Sequence, residues 1–151
     1  MADIEIRAAS PGDAPAIVDL QLRMARETED LELDLGTVTR GVDAAFADPS
    51  KGSYWIAERG GRILGCLFTT YEWSDWRDGT VLWIQSLYVL PEARGRGIYR
   101  ALYEHLKRRV EADPGLKGIR LYVDRRNEAA QRVYARLGMT REHYDLFEWM
   151  K

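Results

Sequence analysis

Residues 94–99 read Arg94-Gly95-Arg96-Gly97-Ile98-Tyr99, and the segments on either side of them constrain the fold more than any other stretch. Upstream, Val81-Leu82-Trp83-Ile84-Gln85-Ser86-Leu87-Tyr88-Val89 is apolar, β-branched and aromatic, the composition of a strand. Downstream, Ile98, Leu102, Leu106 and Val110 recur at helical spacing until Asp113-Pro114-Gly115 ends the pattern. Glycines and arginines therefore occupy the point where a strand turns into a helix. A helix start presents unpaired N–H groups and the positive end of the dipole. Glycine lets a polyanion come close to that backbone, and arginine adds charge and a forked donor. The hexapeptide reads as a pyrophosphate cradle; the plainer alternative is a basic loop of solvated charge. It lacks the Gly-Lys-Ser/Thr ending of a P-loop and the three glycines of a dinucleotide fingerprint.

A second pattern lies further along. Asn127-Glu128-Ala129-Ala130-Gln131-Arg132-Val133-Tyr134-Ala135-Arg136-Leu137-Gly138-Met139 opens on an N-cap residue and closes on a glycine suited to the C′ position. The first motif resembles the R/Q-x-x-G-x-G/A loop of the GNAT N-acetyltransferase superfamily, with Arg94 and Gly97 matching and Tyr99 standing where the pattern has Gly or Ala. The second resembles that superfamily's N-x-x-A-x-x-x-Y-x-x-x-G-F/M helix at every fixed position. The resemblance implies that Arg94, Gly95, Arg96, Gly97, Ile98 and Tyr99 hold the pyrophosphate of acetyl-CoA. It further implies that Leu87, Tyr88 and Val89 pair with the pantetheine arm through their backbone, and that Asn127, Ala130 and Tyr134 face the rest of the cofactor. Read without it, Asn127 is a cap and Tyr134 a core aromatic.

The elements alternate as that family requires. Ile4 and Ile6 form a short strand, and Ser10-Pro11-Gly12-Asp13 resembles a capping box before a helix carrying Ile17, Leu20 and Met24. An acidic joint from Glu27 to Asp34 leads to a helix with Val38, Val42, Ala45 and Phe46. Strands at Tyr54–Glu58 and Ile63–Trp73 meet at Gly60-Gly61, a hairpin pair. Ile119, Leu121 and Val123 alternate as a later strand, and a last one is expected from about His143 to Trp149. The expected fold is α/β: one N-acetyltransferase domain over residues 1–151, with a mixed central sheet of six to seven strands and four helices. The resemblance implies that the strands at Val81–Val89 and Ile119–Val123 splay to form the acetyl-CoA cleft.

The same resemblance implies direct attack of an amine on the thioester, with a backbone N–H near Tyr88 for the oxyanion and Tyr134 as acid for the thiolate. Relatives such as the spermidine/spermine and thialysine acetyltransferases carry Glu two residues before the Leu87 position. Here it is Gln85, which accepts no proton at neutral pH. Gln85 can hold a water, with Glu72 or Asp75 as terminal acceptor; alternatively the neutral amine fraction reacts unaided. Of the two histidines, His105 falls in a charged helix and is expected to be exposed, and His143 lies beyond both motifs. Tyr71, Glu72, Trp73 and Asp75, with Glu27 and Gln85, are the candidate substrate residues, since carboxylates beside aromatic faces favour a small cation. The alternative for the acidic run is a solvated surface.

Composition excludes several classes. The 151-residue chain is 46% hydrophobic and 30% charged, a globular balance, and its formal charge of −2 offers no basic excess for nucleic acid or anionic membrane. No apolar run approaches the roughly 18 residues of a membrane span, and Met1 to Arg7 lacks a signal-peptide pattern. Cys66 is the only cysteine and reads as a buried, inert thiol, so the cytoplasm is the expected compartment. The expected partners are acetyl-CoA as co-substrate without a metal, a small-molecule amine or amino acid, and a second copy in a homodimer, to which Phe147 and Trp149 can contribute. A protein N-terminal or lysine acetyltransferase, or a non-catalytic acyl-CoA-binding module, stays open beside this reading.

Overall fold

The structure is a computed structural model that describes residues 3–151. Alternation of side chains along three long neighbouring segments builds the sheet. β1 (Glu5–Ala8), β2 (Ser53–Arg59), β3 (Arg62–Ser74) and β4 (Gly79–Val89) pair antiparallel in sequence order, and β5 (Leu116–Leu121) adds to β4 in parallel. Gly60 and Gly61 both adopt positive φ, 57° and 79°, as the tight β2–β3 hairpin needs. Among the described residues the helices are α1 (Ala14–Glu29), α2 (Leu35–Ala47), α3 (Ile98–Ala112) and α4 (Glu128–Arg136). None of them is long and apolar enough to cross a membrane.

Adjacent residues of β2 show how the sheet is covered. Tyr54 stacks on Phe46 of α2, whereas Trp55 meets His105 of α3. Successive side chains point to opposite faces, so α2 and α3 flank opposite sides. Ile17 of α1, Ile56 and Leu67 of the sheet, and Ile98, Leu102 and Leu106 of α3 are almost fully buried. Truncating a residue such as Leu102 to Ala costs about 2–5 kcal/mol. Cys66 is buried within this core, which pushes its thiol up to about 12 and leaves it inert.

The chain divides into two compact units, one ending at Leu121 and the other running from Tyr122 to Lys151. The second holds α4, which closes on Gly138 at φ 91° with Met139 N–H on the Tyr134 carbonyl and Gly138 N–H on that of Ala135.

Two expectations are corrected. Among the described residues the sheet has five strands, not six to seven, because residues 143–149 form no ladder. Their composition suits a strand, but a strand exists only through its partner, and the sole regular element of that unit is α4. Phe147 and Trp149 are 94% and 88% exposed there, and Asp145 is held by an ion pair to Arg125. Nor is His105 exposed: one turn beyond Leu102, it packs on Trp55 with its Nε2 buried, and burial lowers its pKa.

Candidate functional site

β4 carries the candidate site because its two edges are unequal. Its parallel pairing with β5 runs from Thr80 opposite Leu116 to Ile84 opposite Leu121, and β5 stops there. β4 continues to Val89 with β3 as its partner strand. The register slips by one residue where Phe68 faces Ser86 but Thr69 faces Ile84, which leaves Gln85 as the extra residue of a bulge. Beyond the bulge, the Leu90 N–H donates to the Leu64 carbonyl at 2.9 Å. Antiparallel ladders alternate, so Tyr88 and Ser86 turn their backbone groups towards β3, and Leu87 and Val89 turn theirs away from it. The backbone N–H groups that face this open edge are therefore those of Leu87 and Val89, the immediate neighbours of Tyr88.

The loop after β4 begins with a single 3-10 turn, Pro91–Ala93, and passes through Gly95 (φ 77°) and Gly97 (φ 81°) into α3. No side chain caps this helix start, and a Cβ at Gly97 would meet nothing within 4 Å. Glycine is there for its left-handed conformation and its bare backbone, since nothing in the packing demands it. Ile98, 1% exposed, pins the first turn to the core. Arg96 is exposed. Arg94 is tied down: Nε donates to the Val89 carbonyl at 3.0 Å, and Nη1 pairs with Glu27 Oε1 at 2.6 Å. Its guanidinium carbon lies 5.4 Å from the centre of the Tyr88 ring, whose hydroxyl donates to Glu27 Oε2 at 2.7 Å. The Arg94 hydrogen bond holds the Glu27 carboxyl below its usual range, while burial, with Glu27 next, raises the Tyr88 phenol. Glu27 and Tyr88 also line an open cleft with Arg23, Arg26 and Glu92.

The second cluster lies further back along β4. Gln85 Nε2 donates to Thr70 Oγ1 at 2.7 Å, leaving its carbonyl oxygen as an acceptor. Glu72 accepts from Trp83 Nε1 at 3.0 Å and pairs with Arg120 at 2.7 Å, so each of its oxygens already has a partner. Gln85 and Glu72 thus share one face of the sheet. Tyr71 and Trp73 flank Glu72 on β3 and point to the other face. Tyr71 there meets Ser53 at 3.0 Å, and Trp73 is 67% exposed. Asp75 sits in the following turn, accepting from the Trp76 N–H.

In the second unit, Asn127 Oδ1 accepts from the Ala130 N–H at 3.0 Å, an N-cap. Tyr134 is half-buried. Sequence reasoning missed Thr70 and Arg120. Thr70 was within reach, since it stands two residues from Glu72 on the same strand; Arg120 depends on the β4–β5 register, which places it opposite Trp83.

The model of the family described as Acetyltransferase (GNAT) matches residues 17–139. A mycothiol acetyltransferase of Thermobispora bispora is 33% identical over 150 residues, covering 95% of this chain and 48% of its own length. The chain spans about half the length, or less, of the curated relatives it matches. A crystal structure of a possible acetyltransferase from Clostridium difficile 630 superposes with a TM-score of 0.93 at 38% identity, covering 98% of this chain and 97% of that one. An aminoglycoside N-acetyltransferase in complex with CoA shares the fold, with a TM-score of 0.82 at 16% identity over 100% of this chain and 97% of that one.

Proposed function

The chain belongs to the acetyltransferase (GNAT) family, and from that premise we propose that it is an acyltransferase, an N-acetyltransferase that moves the acetyl group of acetyl-CoA to a small amine or amino acid. The observation that carries the reading is the free length of β4, joined by the short 90–97 loop to an uncapped, glycine-flanked helix start. An extended amide-bearing arm adds to such an edge as a strand would, and a pyrophosphate suits such a helix start. The fold's co-substrate supplies a thioester whose carbonyl is the electrophile. The backbone N–H groups of Leu87 and Val89 are the donors for its oxygen, Arg96 is the exposed cation for the phosphates, and Tyr134 is the candidate acid for the thiolate. Asn127, Ala130 and Tyr134 join the cofactor set on the family resemblance.

The base is where the residues differ from the expectation drawn from polyamine-type relatives. Glu72 is engaged by Arg120 and Trp83, and Gln85 offers only an acceptor oxygen. We read Gln85 as orienting the amine or a water, with the neutral amine fraction as the nucleophile. The small-molecule reading draws support from the mycothiol acetyltransferases, which are named for a thiol compound and not for a protein. For the stretch from Tyr71 to Asp75, the cationic-acceptor reading rests on residue types alone, since Tyr71 and Trp73 point to the face opposite Glu72 and Arg120 already pairs with that carboxylate. A cytoplasmic setting, a homodimer and a single domain over 1–151 belong to the same reading.

Thiol release from acetyl-CoA, measured with pooled amines from pH 6 to 9, tests it. Without a protein base, kcat/KM should climb about tenfold per pH unit towards the amine's own pKa near 10. A plateau beginning near pH 7 would mean that a side chain takes the proton. No release with any amine would favour a binding module.

A further inference from the structure

By its place in the acidic joint, Glu27 reads as an amine ligand, but its contacts give it another task. We infer that Glu27 is a positioning residue of the cofactor cradle: with Tyr88 it fixes the guanidinium of Arg94, and through Arg94 the loop that opens α3. The inference rests on reading residues 94–99 as the pyrophosphate cradle.

Both Glu27 oxygens are committed inside the protein, Oε2 to the Tyr88 hydroxyl at 2.7 Å and Oε1 to Arg94 at 2.6 Å. Arg94 in turn has Nε on the Val89 carbonyl and its plane near the Tyr88 ring. These residues come from the last turn of α1, the end of β4 and the start of the loop, so the cluster ties together the pieces that bound the cradle. Between Arg94 and the helix lie Gly95 and Gly97, both left-handed, in a stretch with little stiffness of its own. Fixing the first residue of such a loop decides where its later N–H groups point. Arg96 remains as the cation that reaches the phosphates directly.

The sign of one substitution separates this task from a simple charge effect. A carboxylate near a pyrophosphate repels it, so if Glu27 acted only as a charge, Glu27→Gln would tighten CoA binding. If it positions Arg94, the same change weakens binding.

The experiment is calorimetric titration of the full chain with CoA. Glu27→Gln should bind about 5- to 20-fold more weakly, and Glu27→Gln combined with Arg94→Ala no more weakly than Arg94→Ala alone. Tyr88→Phe, which keeps the ring and deletes one O–H···O bond, should lose about 2- to 5-fold and carries the test if Glu27→Gln folds poorly. With any amine that turns over, Glu27→Gln should raise KM for acetyl-CoA and leave kcat and the acceptor KM within about twofold. Unchanged or tighter CoA binding in Glu27→Gln, or a rise confined to the acceptor KM, would overturn the inference. A wild-type chain that does not bind CoA fails the functional reading itself, an outcome distinct from wild-type binding that ignores Glu27.

Discussion

At the scale of single residues, the two arginines of the loop divide their labour. Arg94 is anchored to Val89 and Glu27, and Arg96 stands exposed. Arg96→Ala removes a charge-assisted donor without disturbing a contact inside the protein. It should weaken CoA binding by about 1–3 kcal/mol and leave the ligand-free melting temperature unchanged. Equal titration curves for variant and wild type would remove Arg96 from the cradle. Tyr134 poses the complementary question. Tyr134→Phe keeps the ring but deletes the one proton it can deliver. General acids contribute about 10²–10⁴-fold, and a thiolate, with a free pKa near 8.5, belongs at the low end. The expected result is a fall in kcat with an unchanged CoA dissociation constant. Full kcat in that variant from pH 6 to 9 would make Tyr134 a packing residue and leave the thiolate to solvent.

At the scale of elements, what was legible in the sequence is what local chemistry decides. Periodicity located α3, Gly60-Gly61 marked a hairpin, and the β4–loop–α3 junction was visible in one hexapeptide. What depended on neighbours was hidden. The apolar run at 143–149 has strand composition without a partner, and the shared face of Gln85 and Glu72 follows from a bulge that no residue type announces. Glu27 drew attention as one of several acidic residues, but its partners lie 61 and 67 positions away along the chain. The Arg7 cluster is a similar long-range tie. From β1 it reaches Asp13 at 2.8 Å and Glu58 of β2 at 2.9 Å, joining the first strand, the turn before α1 and the second strand. The hydrogen bond from Arg7 lowers the Asp13 pKa to about 2. A depressed carboxylate contributes stability that is complete above its unfolded pKa, near 3.8, and is lost as pH falls through about 2. The melting temperature should therefore drop between pH 4 and 2, by an amount equivalent to about 1–2 kcal/mol from this group. Asp13→Asn should be less stable at pH 7 and flatter across that interval; a variant with the wild-type slope would place the acid sensitivity elsewhere.

At the scale of the whole molecule, cofactor binding reports on whether the two compact units act as one domain. The family match runs from residue 17 to residue 139 and so draws on both. The resemblance assigns residues of each, Arg96 and Gly97 in the first and Asn127 and Tyr134 in the second, to one cofactor. A ligand that binds only the folded state stabilises it by about 2.7 kcal/mol at one hundred times its dissociation constant. For a chain of this size each kcal/mol moves the midpoint by about 2–4 °C, so CoA at that concentration should raise it by about 5–10 °C. If residues 122–151 fold with the sheet as one cooperative body, calorimetry should record a single transition that moves as a whole, with its calorimetric and van't Hoff enthalpies equal. A second transition that stays in place while the first moves would assign cofactor binding to the sheet unit alone. In that case Asn127→Ala would leave CoA affinity untouched, and Asn127 would be a helix cap and nothing more.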